Sequence, residues 1–257
     1  MEYLIIGSVA AFASLLTFFS GFGLGTILTP AFMLFFPIEL AIALTGVVHL
    51  LNNLFKMGLV GMKANWNVVL RFGGPAIIGA FFGATVLLNF STNEALFTYE
   101  LFEQEFSIYT LNLIVAALMA FFALFEIIPK LKSIEFDKNK LILGGIISGF
   151  FGGLSGHQGA LRSAFLIRYG LSKEAFIATG ITIATFIDVT RLGLYFSRMK
   201  SIDFEANLPI LTVAVVCAFL GAYFGRKLLT KVTLGFVQWT VAIMILILAM
   251  LLAVGII

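Results

Sequence analysis

Apolar residues fill this chain in long blocks at 3–19, 22–36, 38–60, 66–88 and 108–128, then 141–154, 159–171, 174–198, 206–225 and 232–257. About 20 apolar residues in a helix cross a hydrocarbon core, so most blocks predict membrane helices. Blocks 22–36 and 159–171 are too short to cross comfortably. Each follows a break: Ser20-Gly21-Phe22-Gly23-Leu24-Gly25 in one case and Ser155-Gly156-His157-Gln158-Gly159-Ala160 in the other. From residue 20 to residue 155 the separation is 135. Lipid offers no hydrogen-bond partner, so non-helical backbone at membrane depth survives only against protein or a wet cavity. Paired breaks in two halves point to a transporter's binding site.

The halves agree beyond the breaks. At the same offset Glu39 matches Glu174, Asn53 matches Asp188 and Lys56 matches Arg191. Thr45-Gly46 and Thr179-Gly180 match after a one-residue slip, and Gly79-Ala80-Phe81-Phe82-Gly83 reads like Gly221-Ala222-Tyr223-Phe224-Gly225. Duplication is the expectation, with membrane repeats at 1–128 and 141–257 and a polar linker at 129–140.

Composition removes the soluble alternatives. The chain is 61% hydrophobic and 11% charged over 257 residues, against about 25% charged in soluble domains. In lipid that length allows about eight embedded segments of ~20 residues. The first basic residue is Lys56, so the N-terminal block lacks the basic start of a secretory signal and is expected to be retained. The single cysteine, Cys217, excludes an intrachain disulfide and a multi-cysteine metal site. The 16 Lys and Arg are scattered among loops, which argues for topology rather than a nucleic-acid partner. No metal or cofactor is expected.

Loop charge orients the halves. Lys56, Lys63 and Arg71 flank one loop; Glu94, Glu100, Glu103 and Glu105 fill 89–107; the linker holds Lys130, Lys132, Lys138 and Lys140. By the positive-inside rule the first and third are cytoplasmic and the acidic loop is outside. In the second half the loop 198–206 is mixed and the loop 226–231 is basic, so the pattern reverses. The expected fold is an all-α integral membrane protein of two inverted-topology repeats, each a glycine-broken helical hairpin plus three spanning helices. It would sit in the cytoplasmic (inner) membrane with both termini external. The stretch Ser91–Ser107 spaces its apolar residues three to five apart, which predicts an amphipathic surface helix, with a solvated loop as the alternative.

Candidate chemistry gathers at the breaks. Arg162 stands in an embedded block, where a cation needs a compensating partner, and its guanidinium fork suits an oxyanion. A backbone carbonyl or the cytoplasmic interface would satisfy it equally. Glycine turns free backbone N–H groups, and the helix that follows presents a positive dipole end. The substrate-binding candidates are Ser20, Gly21, Gly23, Ser155, Gly156, Gln158 and Arg162; close helix packing is the other use of such glycines. Segment 38–60 carries Thr45, His49, Asn52 and Lys56 on one face, and its counterpart carries Thr179, Thr182, Thr185, Asp188 and Arg191. His49, Asn52, Asn53, Thr182, Asp188 and Arg191 are therefore coupling or gating candidates. Asp188 and Arg191 pairing with each other is the alternative, as is a structural role for His49, the proton-carrier candidate. Gly153-Leu154-Ser155-Gly156 also fits the GxSG pattern of rhomboid-type intramembrane proteases. That reading needs a histidine base, and the sequence offers only His157 and His49.

The two glycine breaks, the paired Thr-Gly positions and the duplicated halves resemble the sulfite exporter TauE/SafE family over essentially the whole chain. The first copy, through Thr26 and on to Thr29-Pro30, is close to that family's glycine-rich motif. The second keeps Ser-Gly and replaces the later glycines with His, Gln and Arg. The resemblance implies export of sulfite or organosulfonates, driven by an ion gradient, with proton or sodium as coupling ion and the bilayer as the remaining partner. A channel for another small anion is the alternative within transport.

Overall fold

In the computed structural model the described residues are 1–20, 23–60, 63–90, 95–101, 103–198, 206–228 and 234–256. Each apolar block becomes a helix. The first half gives α1 (Glu2–Ser20), α2 (Leu24–Met33), α3 (Ile38–Val60), α4 (Trp66–Phe90) and α5 (Thr110–Ile127). The second gives α6 (Leu141–Ser155), α7 (Gly159–Leu166), α8 (Lys173–Arg198), α9 (Leu208–Leu228) and α10 (Leu234–Ala253). Within α4 a π-helical turn, Val69–Gly73, precedes Pro75. Proline has no N–H to return to the preceding turn, and a locally wider turn accommodates that loss.

Burial is inverted relative to a soluble protein. Ile78, Phe82, Val216, Leu220, Ile247 and Met250 face outward, whereas Asn52, Lys56, Arg162, Asp188 and Arg191 are buried. Charged groups turned inward and aliphatic groups outward fit a solvent of lipid. α3, α4, α8 and α9 are long and apolar enough to cross a membrane, and α1, α2, α5 and α10 are apolar but shorter over the residues searched.

The helices interlock across the halves. α4 packs most extensively on α6, and α1 on α9; α3 crosses α8 and α5 lies on α10. Exchanging the halves maps each of these pairings onto another of them or onto itself. The α4–α6 contact is a zipper of small residues. A Cβ at Gly79 would land on the carbonyl of Ile146, and one at Gly83 on that of Phe150. Gly145, Gly149 and Gly153 stand the same way against Phe72, Ala76 and Ala80. Glycines four apart let backbones touch where lipid supplies no hydrophobic drive between helices. Gly221 of α9 meets the carbonyl of Ala11 in α1 in the same manner.

Within the stretch expected as an amphipathic helix, the described residues form instead an antiparallel hairpin, β1 (Ala95–Leu101) and β2 (Gln104–Tyr109); residues 91–94 and 102 lie outside the described residues. Tyr99 is directly opposite Phe106 with rings 5.5 Å apart, and Phe97 stacks on Tyr99 at 6.3 Å. Cross-strand aromatic pairs of this kind stabilise a hairpin, and Tyr99 Oη donates to Val254 O at 2.6 Å. The linker is also tied down. Phe136 N–H donates to Ala164 O at 3.1 Å and its ring stacks on Phe165 at 4.1 Å. Arg168 pairs with Glu135 at 2.8 Å and with Asp137 at 3.4 Å on the surface.

Candidate functional site

α6 ends where Gly156 turns into the left-handed region (φ 81), its N–H returning to Gly152 O at 3.0 Å. α7 starts three residues later. α2 likewise starts after Gly23, with φ 107. Neither N-cap residue, Gly23 or Gln158, supplies a side-chain acceptor to its helix. The first N–H groups of a helix have no intrahelical partner, so α2 and α7 both begin with uncapped donors and a positive dipole end. The two breaks meet: a Cβ on Gly25 would stand 3.3 Å from Gly156 O. Gly21 and the side chain of Ser20 lie outside the described residues.

Two buried guanidinium groups flank this contact. Arg162, one turn into α7, donates from Nη1 to Gln158 Oε1 at 3.2 Å. Gln158 Nε2 is buried without a partner among the described residues. Arg191 reaches in from α8. Its Nη1 lies 2.9 Å from where a Cβ on Gly156 would be, and its Cζ 3.3 Å from the same point on Gly46. Gly180, the counterpart of Gly46, stands in the same way 3.4 Å from Arg162 Nε. Both glycines of the paired Thr-Gly motifs thus make room for an arginine.

Asp188 anchors the cluster, and it does pair with Arg191. Its Oδ1 accepts from Arg191 Nε at 3.0 Å and lies 2.9 Å from Nη2, a contact whose angle leaves Nη2 without a hydrogen bond. Its Oδ2 lies 2.6 Å from His49 Nδ1 and 3.3 Å from Asn53 Nδ2. The coupling candidates His49, Asn53, Asp188 and Arg191 are therefore one constellation across the α3–α8 crossing. Thr182 is not part of it: its hydroxyl donates to Ala178 O in its own helix at 2.8 Å. Asn52 belongs to a separate buried cluster with Ser14 (3.0 Å), where Lys56 Nζ donates to Thr17 Oγ1 at 3.4 Å. With its amide turned, Asn52 Oδ1 also accepts from Lys56 Nζ at 3.3 Å and its nitrogen donates to Ala218 O at 3.2 Å.

Ser155 Oγ donates to Phe151 O at 3.2 Å, and His157 Nδ1 lies 3.0 Å from the same oxygen. The serine proton is already committed to the helix, so the imidazole donates to Ser155 rather than receiving from it. His157 stacks on Phe122 at 5.6 Å, with Nε2 buried and without a hydrogen bond among the described residues.

Sequence reasoning missed Tyr195, whose buried hydroxyl donates to Gly153 O and ties α8 to α6. It continues the stripe of Thr185, Asp188 and Arg191, spaced by three, with a step of four. Ser14 and Thr17 were legible too, as hydroxyls inside an apolar block just before a break.

A sequence model described as "Sulfite exporter TauE/SafE" matches residues 6–252. The chain belongs to that family. No curated protein and no solved structure matched it. The family is one of membrane transporters rather than enzymes, and that sets the protease reading of GxSG aside at the level of the family.

Proposed function

We propose that this TauE/SafE protein exports a small sulfur-containing oxyanion, sulfite or an organosulfonate, held where the two breaks meet. The observation that carries the reading is the set of unspent donors there. Among the described residues Gln158 Nε2 is buried without a hydrogen bond, and Arg191 Nη2 has only an ion-pair contact with Asp188 whose angle is poor, beside Arg162 and two uncapped helix starts. Buried donors that nothing accepts from are costly; an oxyanion with three acceptor oxygens would satisfy them and offset the cationic field.

Binding of sulfite to purified protein tests this. Losing a hydrogen bond to a charged group costs about 1.5–3 kcal/mol, roughly ten- to hundredfold in affinity. Arg162→Ala is expected to weaken binding by that factor. Arg162→Lys should recover only part, because an ammonium lacks the planar fork. Arg168→Ala should change little, its ion pairs being exposed. Wild-type affinity in folded Arg162→Ala would remove that residue from the site. Uncoupled flux of chloride or sulfate in vesicles, with no sulfite transport, would favour the channel reading.

The proposed frame is two inverted repeats, 1–128 and 141–257, in the cytoplasmic membrane with both termini external. It is supported by the exchangeable helix pairings and by the bond from Tyr99 to Val254, which puts the acidic hairpin and the C-terminal end on one side. Cysteines introduced at Lys63, Asn139 and Lys231 should label from the cytoplasm and one at Glu103 from outside. Labelling of Glu103 from the cytoplasm would refute the orientation.

A further inference from the structure

His49 and Asp188 belong to corresponding helices of the two halves, and their 2.6 Å contact bridges the crossing. A carboxylate has no proton to give, so Nδ1 of His49 carries the hydrogen and donates it. Asn53 Nδ2, 3.2 Å from that nitrogen, then gives its own hydrogen to Asp188 Oδ2. The remaining basic nitrogen of the ring is Nε2. The His49 side chain is 12% exposed, whereas that of Asp188 is fully enclosed, so the imidazole is the member of the pair with an open edge. One carboxylate thus serves an imidazole and a guanidinium, and the guanidinium also abuts the break at Gly156.

We propose that His49 is the binding site of a coupling proton, and that its protonation hands Arg191 from Asp188 to the anion. This rests on the anion site described above and names its coupling ion. The step is a proton transfer from hydronium to His49 Nε2: one O–H bond breaks, one N–H bond forms and a water molecule is left. The resulting imidazolium supplies a full counter-charge to Asp188 Oδ2, which weakens the hold of Oδ1 on Arg191. The guanidinium is left to the oxyanion. Adding a positive charge beside an anion site favours the anion, so proton and anion bind together rather than in competition. Linkage makes this reciprocal: the bound anion raises the proton affinity of His49 by the factor by which the proton raises anion affinity. A dianion and its proton then cross as a net single negative charge; a potential negative inside drives that charge outward, and the proton's exit is opposed by an inward proton gradient, so the potential is the driving force.

The other charged groups around the pair are accounted for. On α3 itself these are Glu39 and Lys56, ten and seven residues away. α8 brings Arg191 beside Asp188, Tyr195 one turn further within reach of Arg191, Lys173 and Glu174 at its start and Arg198 at its end; Arg162 of α7 lies within the field of Asp188, and His157 at the break lies within that of Arg191 with its Nδ1 on Ser155. α2 has no titratable residue. On α9, Cys217 stands against Gly7, while Tyr223, Arg226 and Lys227 are exposed; Arg71 of α4 is exposed as well. Glu2 and Tyr3 occupy the first turn of α1, far from the Ser14 that meets α3.

Methanesulfonate keeps one charge across the neutral pH range, so its binding separates the protein's titration from the ligand's. Wild-type protein should bind it more tightly near pH 6 than near pH 8, by roughly fivefold or more, and should take up protons on binding in weak buffer. His49→Gln, which keeps a donor for Asp188, should lose both the pH dependence and the proton uptake. A wild-type affinity flat in pH without proton uptake overturns the proposal, and it does so even if the variant fails to fold. An unchanged slope in His49→Gln, or binding that follows Na⁺ and ignores pH, overturns it as well. Wild type that binds neither methanesulfonate nor sulfite at any pH removes the anion site itself, and the coupling with it.

Discussion

Asp188→Ala is expected to destabilise the protein by about 3–5 kcal/mol, the usual cost of removing one partner from a buried ion pair. Arg191 is almost fully buried between Gly46 and Gly156. Without the carboxylate its charge stays enclosed, and His49 and Asn53 lose their common acceptor. The apparent melting temperature in detergent, followed by loss of the monodisperse species, should fall by several degrees or more. Asp188→Leu combined with Arg191→Leu should melt closer to wild type than Asp188→Ala, because apolar replacement of a whole buried pair is often neutral. That double variant should nevertheless bind no anion. Asp188→Ala melting within a degree or two of wild type would show that the pair does not hold the crossing.

Gly149→Leu should prevent assembly of the folded protein. A Cβ there falls on the carbonyl of Ala76, a backbone atom in the middle of a rod that cannot step aside. The rest of a leucine would force α4 and α6 apart along the whole zipper. Overpacking a tight interior typically costs about 1–3 kcal/mol, and Gly149→Ala belongs in that range. The larger residue breaks contacts at Gly145 and Gly153 as well. Gly193→Ala, where nothing stands within 4 Å of the new Cβ, should be harmless or slightly stabilising, since alanine is the better helix former by about 1 kcal/mol. Equal yields of monodisperse Gly149→Leu and wild type would contradict the close helix contact.

The helical blocks were legible because lipid demands apolar runs of a set length, and the break at Gly156 because glycine and serine interrupt one. Arg162, Asp188 and Arg191 stood out because a charge inside an apolar block needs a reason. The hairpin was not legible. In so short a stretch Phe97 and Leu101, four apart, share a face of a helix and of a strand alike, and the choice falls to contacts such as Tyr99 with Val254, distant in sequence. Nor could the pattern say that α1 seeks α9 and α4 seeks α6, since an apolar face carries no address. His49 and Asp188 were each visible on a polar stripe; their meeting was not. Thr182 sat on the same stripe as Asp188, yet a threonine in a helix readily bonds to its own preceding turn.

The exchanged pairings also bear on how the chain is made. α4 leaves the ribosome with Gly79 and Gly83 facing a neighbour that is not yet synthesised, and α1 waits for Gly221, which lies some two hundred residues downstream. At about 5–20 residues per second, the second wait is on the order of ten seconds or longer. Throughout it the buried hydroxyls of α1 and the cation of α3 are in the bilayer without α9 beside them. With α1 on α9 and α4 on α6, the first five helices reach their observed packing only after the later ones are made. Halves synthesised as separate chains would reach that packing only as a pair.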